Sequence, residues 1–468
     1  MSSTLEARIE PARTATRRIA EFVANAGVDP GSREQAARVL VDTLAVTLAG
    51  GVEPPVRMLE ASLTANTQPR SVGSFWTRNS YRSDDAALLI GMASHILDYD
   101  DVSMLAVVHP SAPMVSAIVA SASDDLSGAD VLDAVAVGTE VMIRLGQVMG
   151  FRHYALGFHA TSTLGTIGAA AACARMARLD VETTANAISI AASYASGLRK
   201  NFGSMVKSFH VGMAAANGMR SVRLAAAGIV GSPEPIEADG FLLAFSGAET
   251  NNWPDDVVLG EPFAINDPGF EQKRYPCCYM LHRIIEASLA LRREHGVTLD
   301  KVRSVRVDMA LGATKPLIHP FPKSGLNALF SAPYAVCAAL GDGRVDLQSF
   351  TDENVMRQSV QDRLRDVTVV ESEEQAAGAK DIGSAPVTVT ATLADGTQVS
   401  KTIVDNPGSR NDPLTDADLS AKWLDCLRRV RPEIDEAHGA TLLREGLAIE
   451  HAQFAPWVAA LRKAMVSA

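Results

Sequence analysis

Apolar residues at positions 37, 40, 41, 44 and 48 fall on one face of a helix, and the pattern repeats along the first half of the chain. Ser32 with Gln35 predicts a capping box at the start of that helix, and Gly50-Gly51 predicts its stop. Ser83 with Asp84 and Asp85 predicts a second helix through AALLIGMASHIL, the acids suiting its positive N-terminus. GTIGAAAACARMA, AISIAASYASG and HVGMAAANGMRSVRLAAAG are helical in period and dense in Ala and Gly. Small residues at i, i+3 and i+4 let helix backbones approach closely, so a tightly packed helical domain is expected. The opening MSSTLEARIEPARTATRRIAEF reads as a first amphipathic helix. Glu6, Glu10 and Glu21 are out of place in a transit peptide, and no apolar signal core follows; a cytoplasmic protein is expected.

Beyond Asn266-Asp267-Pro268-Gly269 the period changes. VRSVRVDMA and DVTVVES alternate as strands do, and VTVTATLADGTQVSKTIV predicts a hairpin around Asp395-Gly396. Helices are predicted between them, around FSAPYAVCAALGDG and after Thr351-Asp352-Glu353. After Asn406-Pro407-Gly408 the Thr415 cap begins a return to helix. The expected fold class is multidomain, α and α+β. A large all-helical domain would be made from both chain ends, residues 1–266 and 408–468, with a smaller α+β domain, 267–407, inserted.

Charge narrows the function. The 468 residues carry 43 Lys+Arg against 54 Asp+Glu, a formal −11, which argues against a nucleic-acid partner. An anionic small ligand remains compatible, because a local cationic pocket can sit in an acidic protein. Five cysteines without a CxxC suit a reducing compartment and offer no zinc ribbon or iron–sulfur trio. The uncharged stretches 102–123 and 153–174 contain His, Ser and Thr and are not membrane spans.

Against this background five segments could carry chemistry. A predicted helix runs into Asp98-Tyr99-Asp100-Asp101, where carboxylates face its negative end at a cost of about 0.3–1 kcal/mol each when exposed. A solvated turn, a metal site and an acid/base group with a raised pKa are all open readings. The pattern also fits the DxDD of helical terpene cyclases, but 5% aromatics cannot wall a carbocation site. His109-Pro110-Ser111 follows. Gly157-Phe158-His159-Ala160-Thr161-Ser162-Thr163 puts an imidazole and hydroxyls at a helix N-terminus, suited to a carboxylate or phosphate. Arg199-Lys200 through Lys207 to His210 groups three cations and a histidine. Lys273-Arg274-Tyr275-Pro276-Cys277-Cys278-Tyr279 lies near the domain junction with His282 beyond, its vicinal cysteines reading as buried rather than metal-binding. Acids, bases and a cationic lining suit proton transfer at carbon beside a carboxylate, where negative charge builds on oxygen.

In order and spacing, HILDYDD with VHPSA, HYALGFHATSTLGTIGAAAA, GLRKNFGSMVKSFHVGMAAANG and KRYPCCYMLHR resemble the MmgE/PrpD family over nearly the whole chain. The resemblance implies a helical domain, an inserted α+β lid, a cleft between them holding a small di- or tricarboxylate, a homodimer, and no metal or organic cofactor. Neither nucleic acid nor membrane is expected as a partner. Family activities include 2-methylcitrate dehydratase, cis-aconitate decarboxylase and iminodisuccinate epimerase. Carried over by position, Asp98, His109, His159 and Lys207 are the catalytic residues, with Asp98 orienting a histidine; Lys200, Lys273 and Cys278 are substrate-binding. Cys278 stands where the animal-type decarboxylase has histidine, and Lys315-Pro316-Leu317-Ile318-His319 lacks its tyrosine. Val206-Lys207-Ser208 departs from the usual Thr-Lys-Pro. A hydro-lyase acting on a citrate-like acid is therefore expected first, with epimerase and decarboxylase behind it; a non-enzymatic binding or scaffold protein is the alternative, in which Asp98, His109, His159 and Lys207 would not converge.

Overall fold

The computed structural model describes residues 14–68, 70–376, 379 and 382–466. Residues 1–13 of the predicted first helix lie outside that range; the described helix is α1 (Ala15–Asn25), capped by the Thr14 side chain. Helices α2 (Pro30–Gly50) and α3 (Pro54–Ser62) follow. The N-cap of α2 is Asp29, which accepts from the Ser32 N–H, so Ser32 lies inside the helix instead of capping it. Pro30 explains the shift, since a first-turn proline needs no partner for the N–H it lacks. Gly51 is required for space: a Cβ there would meet the Trp76 ring at 1.7 Å. A short hairpin, β1 (Val72–Gly73) and β2 (Ser80–Tyr81), leads into α4 (Ser83–His95).

The next helices are α5 (Ser111–Ser121), α6 (Gly128–Ala155), α7 (Ala160–Met176), α8 (Val181–Tyr194), α9 (Met205–Ala226) and α10 (Phe241–Ser246). Their small residues set the packing. A Cβ on Gly91 of α4 would lie 2.6 Å from the Gly212 Cα of α9, and one on Gly218 would lie 2.6 Å from Ala169 of α7. Asp84 at the start of α4 pairs with Arg220 and Arg223 near the end of α9, so the two helices run antiparallel. Contacts of Ser162 with His210 and of Ala169 with Gly218 make α7 parallel to α9. Consequently the C-terminus of α4 and the N-termini of α7 and α9 meet at one end of the bundle.

The chain continues through α11 (His282–His295), β3 (Val302–Ala310), α12 (Gly325–Ala328), α13 (Ala332–Asp342), α14 (Asp352–Val355), α15 (Gln358–Gln361), β4 (Val367–Ser372), β5 (Val387–Leu393) and β6 (Gln398–Ile403). The sheet order is β4-β3-β5-β6, with β3/β4 parallel and the other pairs antiparallel. The β5–β6 turn carries Gly396 at φ 88°, the left-handed position that an Asp-Gly hairpin needs. Helices α16 (Asp416–Val430), α17 (Glu436–Leu447) and α18 (Phe454–Met465) complete it. Thr415 and Asp418 form the capping box of α16.

Apolar side chains collect in two cores. One joins α1–α9 to Leu419, Trp423, Leu427, Phe454 and Trp457 from the last helices. The other covers the sheet with α11 and α13. Among the described residues no single helix is long and apolar enough to cross a membrane.

Candidate active site

Helix α4 ends three residues before Asp98, which turns the chain with φ 48°, a left-handed conformation that Asp tolerates better than most residues. Its carboxylate enters a cage of ammonium groups. Lys207, in the first turn of α9, donates to Oδ2 at 2.7 Å, and Lys273 donates to Oδ1 and, at 2.8 Å, to the Asp98 carbonyl. Burial alone would raise this carboxyl's pKa, but Lys207 and Lys273 more than offset it and hold it well below the usual range. Lys207 also lies 5.3 Å above the Phe202 ring and 5.1 Å from Phe330, so it keeps its place despite the altered residues around it.

The other two acids of the run behave differently. Asp100 Oδ2 bonds to His95 Nδ1 at 2.7 Å and lies 3.4 Å from His109 Nδ1, so one carboxylate serves two imidazoles. Burial opposes its charge, yet His95 and His109 hold its pKa well below normal. Asp101 instead accepts from the Ser111 N–H at the start of α5, and burial pushes it up to about 8. Of the three, Asp101 is the neutral acid at pH 7, engaged as a helix cap. Sequence reasoning gave the orienting role to Asp98; His109 Nε2 is 4.0 Å from Asp98, and the carboxylate against its Nδ1 is that of Asp100. Asp100→Asn is therefore expected to lower turnover by roughly tenfold to a thousandfold by freeing both rings, with KM little changed. Steady-state kinetics check it, and unchanged kcat would remove Asp100 from the site.

His109 precedes α5 and its backbone N–H donates to Thr161 at 3.1 Å. His159 is the N-cap residue of α7, with Nδ1 3.1 Å from His210 Nδ1 and Nε2 without a partner among the described residues. Burial lowers the pKa of all four imidazoles, His95 to about 4 and His159 well below normal, so they are neutral at pH 7. The first histidine of the HYALGFHA phrase, His153, is structural: it spans Phe245 O and Thr163.

Asp98, His109, His159, Lys207 and Cys278 all line one cavity of about 600 Å³. Cys278 is a neutral thiol there, raised to about 11 by burial. Lys273 is wholly buried and absent from the lining, so it acts on Asp98 and does not face a ligand. Lys200 is exposed on a 3-10 turn and lies outside the lining, because that turn aims it at solvent. The lining also includes cations that sequence reasoning missed, Lys315 and Arg410, the latter 3.0 Å from Glu271. His95 was missed too, and His210 was named in its segment without a role; each lies three residues from a chosen one, His95 before Asp98 and His210 after Lys207. That spacing puts His210 on the Lys207 face of α9, whereas Asp98 lies beyond the end of α4, so spacing alone does not bring out His95. His95, Asp100 and His109 bring ligand-type atoms within 4.8 Å, but Asp100 already accepts from an imidazole, and Lys207 and Lys273 beside Asp98 oppose a dication.

Neutral imidazoles, ionised carboxylates and ammonium groups around one cavity are the parts of a protein built for proton transfer. The chain belongs to the MmgE/PrpD family: the MmgE/PrpD N-terminal domain matches residues 17–254 and the C-terminal domain residues 275–444. It is 27% identical over 405 residues to cis-aconitate decarboxylase of Mus musculus, covering 82% of this chain and 80% of that protein. The Homo sapiens enzyme of that name is 27% identical over 353 residues, covering 72% and 71%. That of Aspergillus terreus (strain NIH 2624 / FGSC A1156) is 27% identical over 351 residues, covering 71% of each. These relatives are enzymes of lyase type.

Proposed function

We propose that the protein is a cofactor-independent lyase that moves a proton at carbon beside a carboxylate, and specifically a hydro-lyase acting on a citrate-like polycarboxylic acid. The observation that carries this reading is the convergence of His109, His159 and Lys207 on one cavity. His159, neutral and with Nε2 unpartnered, is the base that takes the carbon-bound proton. Lys207 stabilises the charge that develops on the substrate carboxylate. His109, with Nδ1 facing Asp100, orients the departing hydroxyl, which takes its proton from the Lys207 ammonium on the same cavity wall. Lys315 and Arg410 supply cationic surface for a second carboxylate, while Val102, Met104, Leu105 and Val107 suit an alkyl substituent such as the methyl group of 2-methylcitrate.

Decarboxylation is the second reading, favoured by the names of the relatives. Against it, both departures from the decarboxylase pattern, Cys278 and the Lys315-Pro316 stretch, fall in the cavity lining. Incubation in deuterium oxide with citrate, 2-methylcitrate, cis-aconitate and iminodisuccinate, followed by NMR, separates the chemistries. Alkene formation from citrate or 2-methylcitrate is expected. Carbon dioxide release from cis-aconitate would replace the hydro-lyase by a decarboxylase, and label exchange with stereochemical scrambling of iminodisuccinate by an epimerase. Absence of both turnover and label uptake with all four compounds would overturn the reading.

A further inference from the structure

Where α7 and α9 start side by side, two imidazoles meet nitrogen to nitrogen, His159 Nδ1 to His210 Nδ1 at 3.1 Å. Only one hydrogen fits between two ring nitrogens, so in the neutral pair one ring donates and the other accepts. The surroundings hold both rings in place. The His159 backbone N–H donates to Gly197 O at 3.1 Å, and Ser162 Oγ donates to His210 O at 3.2 Å. Gly197 has φ 126°, and a Cβ there would lie 2.9 Å from the Ser162 Cβ and 3.5 Å from the His210 ring, so only glycine lets the loop come this close. His159 is 2% exposed and His210 9%. With Nδ1 turned to His210, Nε2 is the His159 nitrogen left for a ligand, and the ring lines the cavity.

We propose that His210 is a positioning residue for His159, accepting its Nδ1–H and so holding that ring in the tautomer whose Nε2 lone pair is open to substrate. The inference rests on the reading of His159 as the base. In that step the C–H bond of the substrate breaks, its electron pair stays on the substrate as an enolate, and the proton forms a bond to His159 Nε2. The hydrogen between the two Nδ1 atoms can then shift toward His210, spreading the new positive charge over both rings, and no proton leaves the pair. A lone buried imidazolium would have to carry that charge by itself, at a larger desolvation cost.

Two-bond proton–nitrogen NMR spectra of protein labelled with ¹⁵N-histidine read the tautomer directly, with His159 assigned from the signal missing in His159→Gln. The expected result is a protonated Nδ1 and a bare Nε2 on His159, with mixed tautomers in His210→Phe. This readout needs no substrate, so it decides the inference even if the substrate panel shows no turnover. Where a substrate is turned over, His210→Phe is expected to lower kcat about tenfold to a hundredfold with KM within about twofold. His210→Gln, whose amide oxygen can accept the same hydrogen bond, should recover part of the loss. A wild-type His159 protonated at Nε2, or a His210→Phe variant with unchanged kcat, would overturn the proposal.

Discussion

Replacing His159 by alanine is expected to reduce turnover at least a hundredfold while leaving a folded protein. The expectation follows from the ring's two nitrogens. Nδ1 is taken up by His210, and Nε2 has no partner among the described residues, an arrangement that costs stability unless a ligand uses it. Among the described residues, the other groups that line the cavity are poorly suited to take over as base. Lys207 is engaged with Asp98, Cys278 is a thiol raised to about 11, and His109 already faces Asp100. Stability should change by less than the loss of activity suggests. The alanine variant loses packing against Phe202 and the His95 and His210 rings, but it also removes a buried unsatisfied nitrogen. The two effects oppose each other and should leave a net change of about 2 kcal/mol or less. Initial rates on the substrate found in the panel, with a thermal melt on the same preparation, check both halves. Near-normal turnover would sink the assignment.

Local patterns explain which parts of the molecule could be read in advance. The Asp395-Gly396 hairpin, the Thr415 capping box and the Gly/Ala helices are encoded within a few residues of themselves, and the structure has them where the periodicity puts them. The first cap of α2 is three residues off because Asp29 and Ser32 are both good caps and the deciding residue is Pro30 between them. Asp98, His109, His159 and Lys207 were legible as candidates because each interrupts an apolar run at a helix end, where a polar side chain needs a reason. Their common cavity was not legible. It depends on α4 running antiparallel to α9 and α7 parallel to it, which is settled by glycine contacts between distant segments.

Burial and partner choice were the properties hidden from the sequence. Lys200 and Lys273 look alike in sequence, yet one is exposed and the other is 0% exposed and bound to Asp98. Asp98, Asp100 and Asp101 are an undifferentiated acidic run until their partners are known: two lysines, two histidines and a helix N-terminus. His95 sits on the apolar face of α4 and reads as a core residue. What distinguishes it is a carboxylate five residues on, which only the turn at Asp98 brings back to it.

Asp98→Asn is expected to have the largest combined effect of any conservative change in the protein. Asparagine keeps the shape and tolerates the left-handed backbone at this position, so the variant removes little besides the charge. That charge faces two buried ammonium groups, Lys207 and Lys273, which without it would repel each other. Leaving buried charges unpaired costs about 3–5 kcal/mol, and turnover should fall at least a hundredfold because Lys207 loses the partner that holds it at the cavity wall. The pH dependence gives an independent check. The Asp98 carboxyl is held well below its ordinary value of about 3.9 in the folded protein, so the stabilisation is fully present above that value and is lost as pH falls toward the folded one. Denaturant melts should therefore show wild type ahead of Asp98→Asn at pH 7, with the gap closing as the pH is lowered below about 4. Adding Lys273→Met should restore part of the stability without restoring turnover, since it removes one of the repelling charges but not the need for the carboxylate. A single variant as stable as wild type at pH 7 would mean that the two lysines do not depend on Asp98 for their place in the buried site.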